Sequence, residues 1–229
     1  IELNQLQKVV QQNTLIDIPS LTVAAGEITA VSGLAGIHKE TFIQLLTGQT
    51  TPTAGQIRLD GIDPFRERTA YAQNVGFLPD DDGLYERLTA QQNLEFYCRL
   101  YGLPLSRAAE MLSLVGLQDQ RQTRTQHLTP ELARRLALGR AMLHEPKQLI
   151  LVEPFAHSSP TSIELISTLL RQQAAGGAAV LLIANESVAV TAVCQTIFVM
   201  THGRPAQSYA PAEETPQNLP FKIPARLEG

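Results

Sequence analysis

The chain has 229 residues, of which 44% are hydrophobic, so one large domain or two lobes around a shared core are expected. Only 17% of the residues are charged and the net charge is −4, so the surface lacks the basic character that attracts nucleic-acid phosphates. We therefore expect no direct nucleic-acid binding by this segment.

Apolar runs and cysteines predict where the protein resides. The longest apolar runs, such as Ala178 to Ala184, are far shorter than the ~20 residues that span a bilayer. Cys98 and Cys194 form no metal-ligand or disulfide pattern. These features predict a cytoplasmic, reduced protein that reaches the inner face of a membrane only through a partner.

The first part of the chain predicts strands and then a strand–loop–helix unit. Strand patterns occur in Ile1–Leu6 and twice within Ser20–Gly33, with a turn at Ala25–Gly26. The run ITAVS leads into GLAGIHKETFIQLLTG, whose later apolar residues recur at helical spacing. This order is the context that a phosphate-binding loop requires.

The stretch that begins at Gly33 has the spacing of a phosphate-binding loop, GxxxxGK[ST], with two departures. His38 stands where the second glycine belongs, and Glu40 stands where the serine or threonine belongs. Taken alone, the stretch is weak evidence for a nucleotide site, because a strand-to-helix turn with two glycines is common.

The rest of the chain alternates helices and apolar strands. LTAQQNLEFYCRLYGL and SRAAEMLSLVGL predict two consecutive helices, and TPELARRLALGRAML predicts a third with Thr129 as its cap and Pro130 at its first position. Apolar strands at Gln148–Val152 and 178–184 predict a parallel sheet covered on both faces. From about Pro205 the composition predicts a linker or exposed extension.

Several strings together resemble the nucleotide-binding subunits of ABC transporters. They are AAGEITAVSGLAGIHKET, QIRLDG, VGFLPDDDGLYERLTAQQNLEFYCRLYGL, LALGRAMLHEPKQLILVEP and CQTIFVMTHGR. The resemblance covers about residues 1–204, and its second half is closest to the drug-exporter branch. It implies an α/β fold, a P-loop NTPase-like ABC ATPase core with a parallel sheet, an N-terminal antiparallel β portion and a helical lobe at about residues 83–140. Residues 205–229 would then be a linker or C-terminal extension.

The resemblance implies a set of nucleotide contacts, and in the phosphate loop some are kept and some replaced. The residues kept are Gly33, Gly36, Lys39 and Thr41, and the replacements are His38 and Glu40. The replaced positions are a glycine whose bare backbone lets the β-phosphate approach and a hydroxyl that coordinates magnesium. The loop therefore resembles a degenerate Walker A motif.

Other family positions are replaced as well. Asp80 aligns with the family's glutamine-loop residue, and Val152 aligns with its Walker B aspartate. Val10 aligns with the aromatic residue that stacks on adenine. Ser159 aligns with the D-loop aspartate, and Asn185 aligns with the switch histidine. The signature LSGGQ reads LTPEL, with Thr129, Pro130 and Glu131. Pro130 has no amide hydrogen to donate to phosphate, and Glu131 adds negative charge there. Of the catalytic set, Glu153 alone remains, and we regard it as vestigial.

The number of lost contacts sets the expected affinity. Hydrogen bonds to charged groups contribute about 1.5–3 kcal/mol each, so losing three or four would remove roughly 5–10 kcal/mol. A micromolar ligand has only about 8 kcal/mol of binding free energy. We therefore expect ATP and Mg²⁺ to bind weakly or not at all, with no tightly bound cofactor, no metal site and no hydrolysis.

Some of these residues have simpler structural interpretations. Lys39 could bind an anion, but it is expected to pair with Glu40 or Asp80 instead. Glu40, placed in the first turn of a helix, would be stabilised by the helix dipole by roughly 0.3–1 kcal/mol and would stand in for the missing phosphate. His38 and His157 lack companions at metal-ligand spacing and are expected at the surface.

Three functions remain open from the sequence. The first is a degenerate ABC-type ATPase domain that acts as a regulatory or protein-interaction module linked to an exporter, pairing with another ABC-type subunit or itself and docking on a membrane permease. The second is the regulatory half of a longer transcription regulator, because the tail PFKIPARLEG resembles sequences that precede LytTR-type DNA-binding domains. The third is an active ABC transporter ATPase with atypical chemistry at Lys39, Thr41 and Glu153.

Overall fold

The computed structural model describes residues 1–211 as nine strands and seven α-helices in two sheets with flanking helices. The strands are β1 (Glu2–Val10), β2 (Asn13–Thr22), β3 (Ile28–Ser32), β4 (Ala54–Arg58), β5 (Val75–Leu78), β6 (Gln148–Val152), β7 (Ala179–Ile183), β8 (Thr196–Thr201) and β9 (Arg204–Tyr209). The helices are α1 (Gly36–Leu46), α2 (Arg68–Asn74), α3 (Ala90–Tyr101), α4 (Ser106–Leu114), α5 (Pro130–Met142), α6 (Pro160–Ala175) and α7 (Val188–Val193).

The larger sheet has the strand order β5-β6-β7-β3-β8-β9, and its first five strands are parallel. Every residue of β3, β6 and β7 is buried. Their continuous apolar runs fit this position, because a strand covered on both faces has no solvent side to fill with polar residues. The predicted parallel core is confirmed.

The smaller sheet is antiparallel, with the order β2-β1-β4. Leu3 on β1 lies opposite both Leu21 on β2 and Ile57 on β4. These side chains join Phe42 of α1 in one buried apolar cluster on one face of the large sheet. The predicted N-terminal antiparallel β portion is therefore confirmed.

The opposite face of the large sheet carries the helical lobe, formed by α3, α4 and the start of α5. Leu94, Met111 and Leu138 belong to its buried cluster. Helix α3 begins with a capping box, in which Thr89 and Gln92 each accept a hydrogen bond from the other's backbone N–H. None of the helices within residues 1–211 has the length and apolar character needed to cross a membrane.

Two elements differ from the sequence prediction. Residues 204–209 form β9 and pair antiparallel with β8, so the predicted linker from Pro205 is wrong for this stretch. Helix α2 was not predicted, and it buries none of its residues, so it leaves no apolar stripe in the sequence. The tail PFKIPARLEG and the DNA-binding domain expected after it lie outside the described residues.

The turn between β8 and β9 is packed tightly on β2. Gly203 has φ +76°, and a Cβ there would lie 1.8 Å from the carbonyl oxygen of Leu15. The carbonyl of Gly203 also accepts a hydrogen bond from the N–H of Asp17 at 2.9 Å. The hairpin is thus attached to the small sheet through its turn.

This packing predicts that Gly203→Ala lowers the free energy of unfolding by about 2–4 kcal/mol, because left-handed strain adds to an overpacked contact. Urea unfolding followed by circular dichroism measures the loss. Gly61→Ala is the matched control, because Gly61 has φ +78° but nothing within 4 Å of its Cβ position. The control should lose only about 1–2 kcal/mol. Equal losses would contradict the packing of the turn on β2.

Candidate functional site

The predicted phosphate loop connects buried strand β3 to helix α1. Gly33 has φ +76°, and a Cβ there would lie 2.2 Å from the carbonyl oxygen of Met200, so only glycine fits. Gly36 begins α1 with φ +52°. The strand–loop–helix context predicted from the sequence is confirmed.

Glu40 and His38, the two loop residues predicted to depart from the family pattern, make contacts of their own. Glu40 is exposed in the second turn of α1, and its Oε1 accepts a hydrogen bond from Nε2 of Gln44 at 3.1 Å. The first turn of α1 contains no acidic residue, so the prediction that Glu40 benefits from the helix dipole there is wrong. His38 is half-buried, with its ring 6.3 Å from that of His202. His157 is exposed, as predicted.

Lys39 lies between two carboxylates. Its Nζ is 3.3 Å from Oδ2 of Asp80 and 3.5 Å from Oε1 of Glu153. The Lys39 side chain is 19% exposed and that of Glu153 is 24% exposed, so the second pair is only partly screened by water. Of the two predicted partners of Lys39, Asp80 is confirmed, whereas Glu40 bonds to Gln44 instead. The pairing with Glu153 was not predicted.

Glu153 also contacts Asn185, the residue predicted at the switch position. Its Oε1 accepts hydrogen bonds from the backbone N–H and from Nδ2 of Asn185, both at 3.2 Å. Glu153 directly follows β6 and has φ +44°, a left-handed conformation that costs of order 1–3 kcal/mol in a non-glycine residue. Oε1 of Glu153 thus accepts hydrogen bonds from both Lys39 and Asn185.

Arg134 on α5 lies beside the candidate site and was not predicted from the sequence. It is 2% exposed, and its guanidinium bonds to the carbonyls of Pro79 at 2.7 Å and of Glu153 at 3.1 Å. It also donates to the carbonyl of Val152 and pairs with the carboxylate of Asp82 at 2.6 Å. These partners lie beyond β5 and at the end of β6.

This bridge has a geometric consequence for the site. Asp80 follows β5 and Glu153 follows β6, so a group that joins the two strand ends holds both carboxylates near Lys39. A signal was present in the sequence, because Arg134 shares a helical face with the apolar Leu138. An arginine on such a face requires buried partners.

The signature segment makes contacts within its own chain. Thr129 caps α5 and Pro130 is at its first position, as predicted. Oε1 of Glu131 accepts hydrogen bonds from the hydroxyl of Ser159 at 2.9 Å and from the hydroxyl of Ser162. These hydrogen bonds hold the pKa of Glu131 below its usual value of 4.5. The hydrogen bond from Ser162 lowers it most.

The family model described as "ABC transporter" matches residues 16–156. The chain belongs to the ABC transporter ATP-binding-domain family. The Nod factor export ATP-binding protein I of Paraburkholderia xenovorans (strain LB400) is 32% identical over 217 residues, which cover 93% of this chain and 71% of that relative. The linearmycin resistance ATP-binding protein LnrL of Bacillus subtilis (strain 168) is 28% identical, covering 89% of this chain and 67% of its own length.

Solved structures agree on the fold. The structure of an ATP-binding subunit of an ABC transporter superposes with a TM-score of 0.83 at 24% identity, covering 91% of this chain and 89% of that chain. A bacterial ABC transporter cassette solved as a dimer superposes with a TM-score of 0.80 at 18% identity, covering 91% and 97%. The predicted ABC ATPase fold is therefore confirmed.

The remaining family positions lie in different environments of this ABC-type domain. Val152 is completely buried in an apolar cluster that includes Ile150 and Ile183. Val10 is partly exposed at the end of β1, and Thr41 is buried in α1. Within residues 1–211, no group of three or more His, Cys, Asp or Glu residues is arranged to hold a metal ion.

The contacts of Glu131 predict a pH-dependent stability. Because its pKa is lower in the folded state, the carboxylate stabilises the fold above pH 4.5, and this contribution disappears as the pH falls through the folded-state pKa. We expect Glu131→Gln to cost about 1 kcal/mol at pH 7 and much less at pH 3. Urea unfolding at both pH values measures the difference. Glu164→Gln, at an exposed position on α6, is the control. A loss of unfolding free energy in Glu131→Gln that is the same at both pH values would contradict the stabilising role of the Glu131 carboxylate.

Proposed function

We propose that this chain is an ABC-type domain in which ATP binding and hydrolysis are weak or lost, and that it acts as a regulatory or protein-interaction module linked to an ABC exporter. The observation that carries the proposal is the position of Lys39. The amine that would contact phosphates in the family is paired with Asp80 and Glu153 of the same chain. A nucleotide phosphate that approaches Lys39 would have to displace these two carboxylates or lie beside them. Both carboxylates repel a polyphosphate.

The donor set does not fit a magnesium ion bound to nucleotide. Magnesium prefers oxygen ligands in near-ideal octahedral geometry. Glu40 replaces the expected hydroxyl and bonds to Gln44 instead. Val152 presents an apolar side chain, completely buried, where the family has a metal-organising carboxylate. We therefore assign no step to a metal-bound nucleotide.

The signature segment supports the same proposal from the other half of the composite site. In the family this segment contacts the ATP of a partner subunit through backbone amides and a serine hydroxyl. Here Pro130 lacks an amide hydrogen, and Glu131 is held by Ser159 and Ser162 of its own chain. A carboxylate at this position disfavours a partner's polyphosphate.

The relatives supply the link to export. The proteins compared above are described as a Nod factor export protein and a linearmycin resistance protein, and both are ATP-binding proteins by description. We propose that this chain shares their exporter association, through a membrane permease and a second ABC-type domain, and is held in the cytoplasm at the membrane's inner face. A similar cassette is known as a dimer, which supports pairing of this kind.

A nucleotide titration tests the proposal. We expect ATP to bind with a dissociation constant of about a millimolar or weaker, with or without Mg²⁺, because three or four charged contacts are absent. Isothermal titration calorimetry measures the affinity, and phosphate release measures turnover. Micromolar affinity or turnover by the unmodified chain would instead support an active ATPase with atypical chemistry.

A repaired variant provides the positive control. The substitutions His38→Gly, Glu40→Ser and Val152→Asp restore three family contacts in the same scaffold. We expect ATP to bind this variant at least about tenfold more tightly, since one recovered charged contact is worth more than 1.4 kcal/mol. Thermal unfolding shows whether the buried aspartate is tolerated. If it is not, His38→Gly with Glu40→Ser is tested alone.

A further inference from the structure

A cavity lies between α2, β5, α3 and α5, away from the phosphate loop. Its volume is about 240 Å³, just below the 300–1,000 Å³ typical of small-molecule sites. Its walls are largely aromatic and include Tyr71, Phe77, Tyr97 and Tyr101. A cavity of this size and lining suits a molecule with a single ring.

The cavity contains a cation without a carboxylate partner. The guanidinium of Arg140 donates to the carbonyls of Gly83 at 2.7 Å and Phe77 at 2.9 Å and lies 5.4 Å from the ring centroid of Tyr97. None of the ion pairs formed within residues 1–211 involves Arg140. Among the described residues, its charge is therefore stabilised by two carbonyls and an aromatic ring, with no carboxylate within 4 Å.

Two buried polar side chains also line the cavity. The hydroxyl of Tyr71 has no hydrogen-bond partner in the described part of the chain, and the ring of His144 has only a weak contact with the backbone of Val75. Leaving a buried polar group unsatisfied normally costs about 1–3 kcal/mol each, and such groups are rare in native proteins. The hydroxyl of Tyr71 and the ring of His144 are therefore available to a polar group of a ligand.

The charge of the cavity at neutral pH follows from burial. Burial lowers the pKa of His144, whose ring stacks on Tyr101 with centroids 4.1 Å apart, so the imidazole is neutral. Burial raises the pKa of Tyr101, against an opposing effect of Arg140, so that hydroxyl stays protonated and can donate. Arg140 alone then sets the charge, and an anionic group complements it.

We propose that this cavity binds a small monocyclic carboxylate, with its carboxylate at Arg140 and the hydroxyl of Tyr101 and its ring against the aromatic walls. A free carboxylate fits better than a phosphate because the walls are apolar and desolvating a second negative charge is more costly. The cavity also includes Pro79, which directly precedes Asp80. The proposal does not depend on whether the phosphate loop binds ATP.

The test uses the 229-residue chain with benzoate as the probe, followed by ¹H–¹⁵N NMR. We expect saturable shifts at about millimolar benzoate, confined to residues around the cavity. Benzamide, which lacks the charge, and acetate, which lacks the ring, should each bind at least about fivefold more weakly. Equal binding of benzamide, or shifts spread over unrelated surfaces, would overturn the proposal.

A tyrosine variant tests the contact itself. Tyr101→Phe keeps the stacked ring and removes the hydroxyl, so benzoate should bind about tenfold more weakly while the fold is retained. Tyr85→Phe is the matched control, because Tyr85 is 47% exposed and lies outside the cavity, and it should leave binding unchanged. Equal effects of the two variants, or no effect of Tyr101→Phe, would contradict the assigned site. Arg140 is not substituted, since it also holds the carbonyls of Phe77 and Gly83.

Discussion

The guanidinium of Arg134 is the interaction on which the geometry of the candidate site depends. Buried charges are stable only when their hydrogen-bonding capacity is met, and Arg134 meets it with backbone carbonyls and the carboxylate of Asp82. Those partners come from the ends of two neighbouring parallel strands. The same contacts keep Asp80 and Glu153 on the side of Lys39. Removing the guanidinium would release both strand ends at once.

This arrangement is consistent with a fold that does not depend on a bound nucleotide. The sheet, both apolar clusters and the glycine loop need no ligand, since their stability comes from burial and close packing. The charge of Lys39, which would otherwise need an anion, is met inside the chain. The carboxylate of Glu131 likewise accepts hydrogen bonds from serine hydroxyls at the start of α6. In both predicted halves of the ATP site, charged side chains therefore make contacts within their own chain.

Much of the fold could be predicted from the sequence because buried parallel strands and capped helices leave local signals, such as QLILV and Thr129–Pro130. The β9 strand could not, because an edge strand with polar residues has no apolar period. The pairing of Lys39 with Asp80 was predictable from the family resemblance. The roles of Arg134 and Glu40 were not, because they depend on tertiary partners and on the residue at which α1 begins.

The central claim is that Lys39, the lysine expected to contact phosphate, is paired with the carboxylates of Asp80 and Glu153. The most direct measurement is the ATP affinity of the double variant Asp80→Asn, Glu153→Gln, which keeps the shapes of both side chains and removes their charges. Calorimetry should show ATP binding at least about tenfold tighter than to the unmodified chain, because Lys39 becomes available and two repulsive charges are removed. An affinity that stays the same, in a variant whose thermal unfolding shows an intact fold, would contradict the account.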